Sequence, residues 1–342
     1  MKSNAAANSD NFRYPPVSII MAAKNAALNL EDHIHHWLNQ DYPQFELVIA
    51  DDCSADETGY FLVKTAEHEP RLKFVLLDPN VIKSGGKKLA LTLAIKKAQY
   101  QHFVLTDSDC IPESDQWLKQ MVQGFSNQKS LVLGVAPITT TGNGFLSRLI
   151  QFENSFTALN YLGMAFRGKP YMGVGRNLAY TRDLYNSVGG FSEHYHIPAG
   201  DDDLFVQSVA TAQNTEICFT AESMMMSKGP KNFKEYWRQK MRHLWVGKFY
   251  QSSVKNRLMW YPVAQFAFWL GILIWFFAGS TWLWPLITLI VKITPEWIIY
   301  FQKSKLLKMP KAAPLYPFFN FFHSFWYVYI GINAFFKRKV IW

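Results

Sequence analysis

Apolar residues in the first third of the chain come as short continuous runs, at residues 17–21 (VSIIM), 45–50 (FELVIA), 73–77 (KFVLL) and 103–105 (FVL), each followed by polar residues. Runs of that length predict strands buried on both faces, as in a parallel sheet. Between the first two, Leu30, Ile34, Trp37 and Leu38 recur at helical spacing, with Asn29 placed to cap the helix. A further helix is predicted over 89–98, opened by SGGKK at 84–88. Strand-helix units in succession imply an α/β fold, a doubly wound, mostly parallel Rossmann-like sheet with its loops gathered along one edge.

Ligands of open α/β sheets bind at the carboxyl ends of the strands. The fourth run reads HFVLTDSDCIP over 102–112, so Asp107 and Asp109 stand at such an end, and strand alternation puts them on one side. Two hard oxygen donors there suit Mg²⁺ or Mn²⁺, which keep some water and draw remaining ligands from substrate phosphates. Taken alone, an acidic triplet is as readily a solvated turn. The second run ends in DDCSAD at 51–56, again placing acids beyond a strand. Glycines ahead of a helix N-terminus, with Lys87 and Lys88 beside them, make a phosphate-binding entrance. It is not a Walker motif, because the spacing and the Ser/Thr after the lysine are missing.

Beyond Trp117 the pattern changes. A strand is predicted over 131–136 and a helix over 145–162, which carries the polar residues Gln151, Glu153 and Asn154. Gly173 and Gly175 in GKPYMGVGRNLAY (168–180) permit close backbone approach, and VGGF at 188–191 leads to GDDDLF at 200–205. Residues 233–250 mix Trp, Phe and Tyr with Lys, Arg and His, the composition of a helix lying in a membrane interface. Residues 258–279 are almost uninterruptedly apolar and long enough to cross a bilayer. A second span at 281–301 carries Lys292, Pro295 and Glu296, with Lys292 free to snorkel and Glu296 to face other helices. A third stretch, 315–336, contains Asn320, His323, Ser324 and Asn333 and reads as an interfacial or re-entrant segment. The predicted organisation is a loose arm at 1–14, a catalytic domain at 15–230, an interfacial helix at 231–256 and a membrane region at 257–342.

Charge and composition narrow the partners. A net charge of +9 over 342 residues, with a pI near 9.2, calls for an anionic partner. Aromatics, 16% of the chain, crowd its last quarter, which points to membrane lipids rather than nucleic acid. The three cysteines form no CxxC pair, so neither a disulfide framework nor a zinc site is expected. His33, His35 and His36 fit a solvated helix face better than a metal site. The first sixteen residues lack a signal-peptide core, which puts the catalytic domain on the cytoplasmic face of the membrane, a bacterial inner membrane in our reading. A two-span hairpin then returns Lys303, Lys305, Lys308 and Lys311 to that side; a third span would put Lys337, Arg338 and Lys339 on the wrong one.

The ordered set VSIIMAAKN, LVIADDCSADET, GGKKLALT, LTDSDC, GVGRNLAY, GGF followed by GDDDLF, and QKMRH resembles the inverting glycosyltransferases of family 2, over residues 15–250. The resemblance implies a GT-A domain acting on a nucleotide-sugar, with UDP the favoured nucleotide. It implies that Asp52 contacts the base beside Ala22, Lys24 and Asn25, and that Lys87 lies near the diphosphate. Asp107 falls to the ribose or sugar side and Asp109 to the divalent metal, with Asp107 as its companion. Asp202 becomes the general base. Gly175, Arg176, Asn177, Asp201 and His243 fall near the donor sugar or the acceptor, and Gln239 and Arg242 near the donor. The family's QxxRW is Gln239-Lys240-Met241-Arg242-His243 here, so its tryptophan is missing and Trp245 follows two residues on. That departure counts against a processive synthase. The expected acceptor is lipid-linked or a membrane-proximal glycan.

Displacing a nucleoside diphosphate needs positive charge at the departing phosphates and a base for the incoming hydroxyl, which these residues supply. No second nucleophile is evident, so a single inverting displacement is expected. A membrane-attached nucleotidyltransferase and a non-catalytic scaffold for sugar nucleotides or anionic lipids are the competing readings.

Overall fold

The computed structural model describes residues 13–78, 80, 86–278 and 281–336. Most of the expected N-terminal arm, Ser84 and Gly85 of the predicted phosphate entrance, and Lys337, Arg338 and Lys339 lie outside them. The chain divides into two units, residues 1–139 with 160–228, and residues 140–159 with 229–342.

In chain order the first unit runs β1 (Val17–Ala23), α1 (Ala27–Leu38), β2 (Phe45–Asp51), α2 (Thr58–Ala66), β3 (Leu72–Leu76), α3 (Lys87–Lys97), β4 (His102–Asp107), β5 (Cys110–Pro112) and α4 (Trp117–Gln123). It continues with β6 (Leu131–Leu133), β7 (Ile138–Thr139), the end of α5 (Phe145–Phe166), β8 (Leu178–Thr181), α6 (Arg182–Ser187), α7 (Asp203–Val209), β9 (Thr215–Ile217) and β10 (Met225–Lys228). The main sheet has the order β3-β2-β1-β4-β8-β6-β9. Its first four strands are parallel, as predicted, whereas β8 runs antiparallel to both β4 and β6. A smaller sheet, β5-β10-β7, stands beside it.

Burial explains the parallel part. Val17, Ile19, Ile20 and Met21 of β1, and Leu47, Val48 and Ile49 of β2, are wholly buried, as strands covered on both faces must be. Leu30, Ile34, Trp37 and Leu38 form the inner face of α1, as the spacing predicted. Its start differs: α1 begins at Ala27, and Asn29 lies inside the helix. The free N–H groups are capped from the neighbouring loop instead, Ala26 donating to Thr58 Oγ1 at 2.8 Å and Ala27 to Asp56 Oδ2 at 3.1 Å.

Two further strands end elsewhere than predicted, β6 earlier and β4 later. β6 stops at Leu133, because the chain then turns into a knot around the wholly buried Asn177. Gly134 N–H donates to the Asn177 carbonyl at 3.0 Å, while the Asn177 amide donates to the carbonyls of Val135 and Ser223 at 2.8 Å each. Trp117 Nε1 closes the knot by donating to Asn177 Oδ1 at 3.0 Å. A Cβ at Gly134 would sit 2.5 Å from the Asn177 side chain, so that position has no room for one. β4 ends at Asp107, and Ser108 and Asp109 form a turn into β5 of the smaller sheet. Strand alternation therefore does not reach Asp109.

The second unit combines the start of α5 with α8 (Phe233–Val246), α9 (Ser252–Phe277), α10 (Leu283–Leu306) and α11 (Tyr316–Phe336). Among the described residues two helices, α9 and α10, are long and apolar enough to cross a membrane. Their large side chains, such as Trp260, Ile274, Ile290 and Val291, point outward. Lys292 pairs with Glu296 of its own helix at 3.0 Å instead of snorkelling, and Glu296 also accepts from Tyr316 of α11 at 3.1 Å. α11 is one unbroken helix without a re-entrant turn, tied to α9 by Trp269 Nε1 donating to Asn320 Oδ1 at 2.9 Å. α8 is anchored through a buried carboxylate: Glu153 of α5 accepts from Tyr236 at 2.9 Å and pairs with Lys240 at 3.0 Å. Lys311 is likewise spent inside this unit, on the carbonyls of Thr140 and Gly142.

Replacing Trp117 by Phe would keep most of the apolar volume but leave Asn177 Oδ1 buried without its donor. We expect a loss of about 1–3 kcal/mol, read as a lower melting temperature of the detergent-solubilised chain. Unchanged melting would show that the knot is not closed by this bond.

Candidate active site

The parallel strands set the frame. In register, Ala23 of β1 faces Asp51 of β2, and Ala22 faces Asp107 of β4, so these acids stand at one edge of the sheet. The loop after β1 is fastened to the loop after β2. Asn25, in the left-handed region at φ 50°, donates its N–H to Ser54 Oγ at 2.8 Å and accepts from Ala55 N–H at 2.8 Å.

Neighbouring acids have different employment. Asp51 is turned back on its own loop, accepting from the Ser54 N–H and hydroxyl, and burial raises its pKa. Asp52 is also buried, yet it faces two other segments: Lys24 Nζ at 3.3 Å and the N–H of Gly86 at 2.8 Å. Gly86 stands at the start of α3, so Asp52 is joined to the first turn of the helix that carries Lys87 and Lys88.

Lys87 gathers acids that are far apart in sequence. Its ammonium lies 2.8 Å from Asp107 Oδ1 and 3.1 Å from Asp201 Oδ2. Burial alone would push its pKa down, but the carboxylates of Asp107, Asp201 and Asp202 outweigh that and hold it above the ordinary lysine value. A cation whose folded pKa is raised keeps its stabilising contribution until the pH climbs past the lysine range. These ion pairs therefore persist at neutral and moderately alkaline pH.

Asp202 sits next to this bridge as the N-cap residue of α7. One carboxylate oxygen accepts from Gly175 N–H at 2.8 Å and the other from Asp203 N–H at 2.8 Å. Those two bonds orient it and leave further lone pairs for another donor. Gly175 matters through its backbone N–H, since a Cβ there would make only ordinary contact with Asp202 Oδ2, at 3.4 Å. The other glycine of the pair, Gly173, is a packing position: a Cβ would meet Leu178 at 2.9 Å. Asn177 belongs to the buried knot and not to an open surface, which corrects its expected place beside the sugar. Arg176 donates to the Ser227 hydroxyl of β10.

Asp109 is exposed on its turn, with the Cys110 thiol at 3.4 Å from Oδ1. Among the described residues no cluster of three or more His, Cys, Asp or Glu side chains converges on one point. Two carboxylates, Asp107 at the end of β4 and Asp109 in the turn that follows it, nevertheless fit a cation that takes its other ligands from water and a diphosphate. Gln239, Arg242 and His243 lie on α8 of the second unit, where Arg242 is half-buried and His243 exposed. Trp245 is a packing residue of that unit, stacked edge-on to Phe249.

Lys88, expected beside Lys87 at the phosphate entrance, faces the protein interior instead. Lys88 is buried, and its ammonium donates to the carbonyls of His194, Ile197 and Ala199 at 2.7, 3.0 and 3.0 Å. The signal was available, because Lys88, Leu91, Ala94 and Ile95 fall on one stripe of α3.

A parallel-rich α/β sheet with acids along its carboxyl edge, followed by apolar helices, is the architecture of a GT-A-like glycosyltransferase. The sequence pattern of glycosyl transferase family 21 matches residues 1–342, and the chain belongs to that family. The fold is similar to that of the mannosyltransferase PcManGT from Pyrobaculum calidifontis, solved in complex with GDP-Man and Mn²⁺. That likeness has a TM-score of 0.57 at 19% identity and covers 92% of this chain and 88% of the other. The chain is 22% identical to poly-beta-1,6-N-acetyl-D-glucosamine synthase of Staphylococcus epidermidis over 68% of its length and 55% of the relative's. It is 28% identical to beta-monoglucosyldiacylglycerol synthase of Trichormus variabilis over 52% of its length and 38% of the relative's. The chain thus spans about half or less of these relatives.

The two acids after β2 are separable by experiment. An Asn at position 51 can accept both Ser54 bonds, so Asp51→Asn should change stability by no more than about 0.5 kcal/mol near pH 5. A carboxyl with a raised folded pKa loses stability as pH rises through that value. The variant should therefore gain on wild type in thermal melts as the pH rises above the ordinary carboxylate range. Asp52→Asn keeps an acceptor for the Gly86 N–H but loses the charge facing Lys24, and should cost no more than about 1 kcal/mol in the same melts.

Proposed function

We propose that this chain is a membrane-associated inverting glycosyltransferase. It moves a sugar from a nucleotide-sugar, with UDP as the favoured nucleotide, to a hydroxyl of a lipid-linked or membrane-proximal glycan acceptor. The observation that carries the reading is the Lys87 bridge, which joins Asp107 to Asp201 next to Asp202, while Gly86 holds Asp52 one residue away. The ordered motifs shared with family 2 enzymes support the same assignment of roles.

In this reading Asp52, with Ala22, Lys24 and Asn25 beside it, receives the nucleotide base. Lys87 neutralises the diphosphate, and Asp107 and Asp109 hold Mg²⁺ or Mn²⁺. The cation, when bound, supplies the remaining positive charge at the departing phosphates. Asp202 faces the acceptor, oriented by the N–H groups of Gly175 and Asp203. As the acceptor oxygen bonds to the anomeric carbon, its proton passes to Asp202 and the bond to the diphosphate breaks. One displacement inverts the centre. Asp201, Arg176 and Gly175 line the sugar side. Gln239, Arg242 and His243 keep the donor and acceptor roles that their motif implies.

Outward-facing apolar side chains on α9 and α10 support membrane attachment through a helical hairpin, and Lys303 and Lys305 in the last turn of α10 favour the cytoplasmic face for the catalytic unit. The family match favours glycosyl transfer over nucleotidyl transfer, which would release free diphosphate from a nucleoside triphosphate.

The test is a panel of nucleotide-sugars assayed for Mn²⁺- or Mg²⁺-dependent nucleoside diphosphate release from membranes carrying the chain. Asp202→Asn should keep donor binding and lose turnover by about 10²- to 10⁴-fold. Asp109→Ala should lose metal-dependent donor binding. Normal turnover in either variant would overturn the role given to that residue.

A further inference from the structure

Two consecutive lysines open α3, and they do different work. Lys87 bonds carboxylates. Lys88 bonds none; its three N–H donors all go to main-chain carbonyls, those of His194, Ile197 and Ala199. A lysine this deeply buried without a carboxylate bonded to it is unusual, and burial lowers its pKa even though Asp201, Asp202 and Asp203 pull the other way.

The segment it holds explains the expense of keeping it there. Between the short helical turn Ser192–His194 and α7 the backbone belongs to no helix or strand. Carbonyls of such a segment need donors from elsewhere when they are buried. Lys88 supplies three at once, adding at His194 to the Ile197 N–H already bonded there, and the last of them, at Ala199, lies two residues before Asp201. Gly200, in the left-handed region at φ 79°, then turns the chain so that Asp201 meets Lys87 at 3.1 Å and Asp202 caps α7. The loop is pinned at both of its ends by neighbouring residues of one helical turn.

We infer that Lys88 is a positioning residue of the transfer reaction, fixing the 194–200 loop so that the Asp201-Asp202 pair is held in register with Lys87. The inference rests on the proposed role of Asp202 as base. It differs from a purely structural role in what it predicts. Donor contacts made by Asp52 and Asp107 come from the strand ends and do not depend on this loop, so loss of Lys88 should separate binding from turnover.

The experiment uses the full chain in membranes or detergent, with Mn²⁺ and UDP or GDP as the binding probe and sugar transfer as the readout. Wild type is measured first; nucleotide binding without transfer of any sugar would sink the parent reading, and this inference with it. With wild type active, Lys88→Met should bind nucleotide within about 3-fold of wild type while kcat falls about 10- to 100-fold, the scale of a small misplacement of a catalytic group. Lys88→Arg keeps the charge and donors on a planar fork and should recover part of kcat. Wild-type kcat in a folded Lys88→Met, or binding and kcat falling together with the folded fraction, would overturn the inference. Should Lys88→Met fail to fold, Lys88→Arg decides: reduced kcat at unchanged nucleotide affinity supports it, and unchanged kcat rejects it.

Discussion

The first unit depends on a charge balance at the start of α3. Carboxylates at the ends of β2 and β4 and at the start of α7 come from segments separated by long stretches of chain, and like charges brought together repel. Their approach is possible because the start of α3 presents the Gly86 N–H to Asp52 and the Lys87 ammonium to both Asp107 and Asp201. The lysine between Asp107 and Asp201 is worth more as a partly buried pair of contacts than as a surface ion pair, because solvent screens it less. A phosphate-bearing ligand would find there a cation already located, and would compete with carboxylates for it.

Much of this was legible in the sequence, for reasons that differ by element. Continuous apolar runs announce parallel strands, so β1, β2, β3 and β4 could be read, as could the long apolar helices α9 and α10, although β3 at the sheet edge is only partly buried. The acids at the strand ends followed from where the runs stop. What could not be read depends on contacts across the chain. The cap of α1 comes from Thr58 and Asp56 and not from the local Asn29. The early end of β6 follows from the demand of a buried amide at Asn177, which also moves that residue from the site to the core. The antiparallel β8 has no signature in a four-residue segment, and of the polar residues of α11 that counted against a full membrane span, Asn320 serves as a contact to α9.

Adjacent residues of one type proved to be the hardest to assign. Asp51 and Asp52 look alike in DDCSAD, yet one closes its own turn while the other reaches Lys24 and Gly86. Lys87 and Lys88 look alike in GGKK, yet one faces acids and the other a loop backbone. In each case a strand or helix places successive side chains in different directions, so a motif read as a string of letters merges roles that the backbone separates.

The turn formed by Ser108 and Asp109 has a consequence for how this chain can vary. It connects strands that belong to different sheets, and each of those strands is held by its own ladder, Asp107 beside Ala22 and Cys110 beside Ser227. Lengthening the link by a residue would cost neither sheet a rung. The acid at its tip can thus be moved, swapped or lost without unfolding the scaffold, so sequence change at this corner costs the fold little.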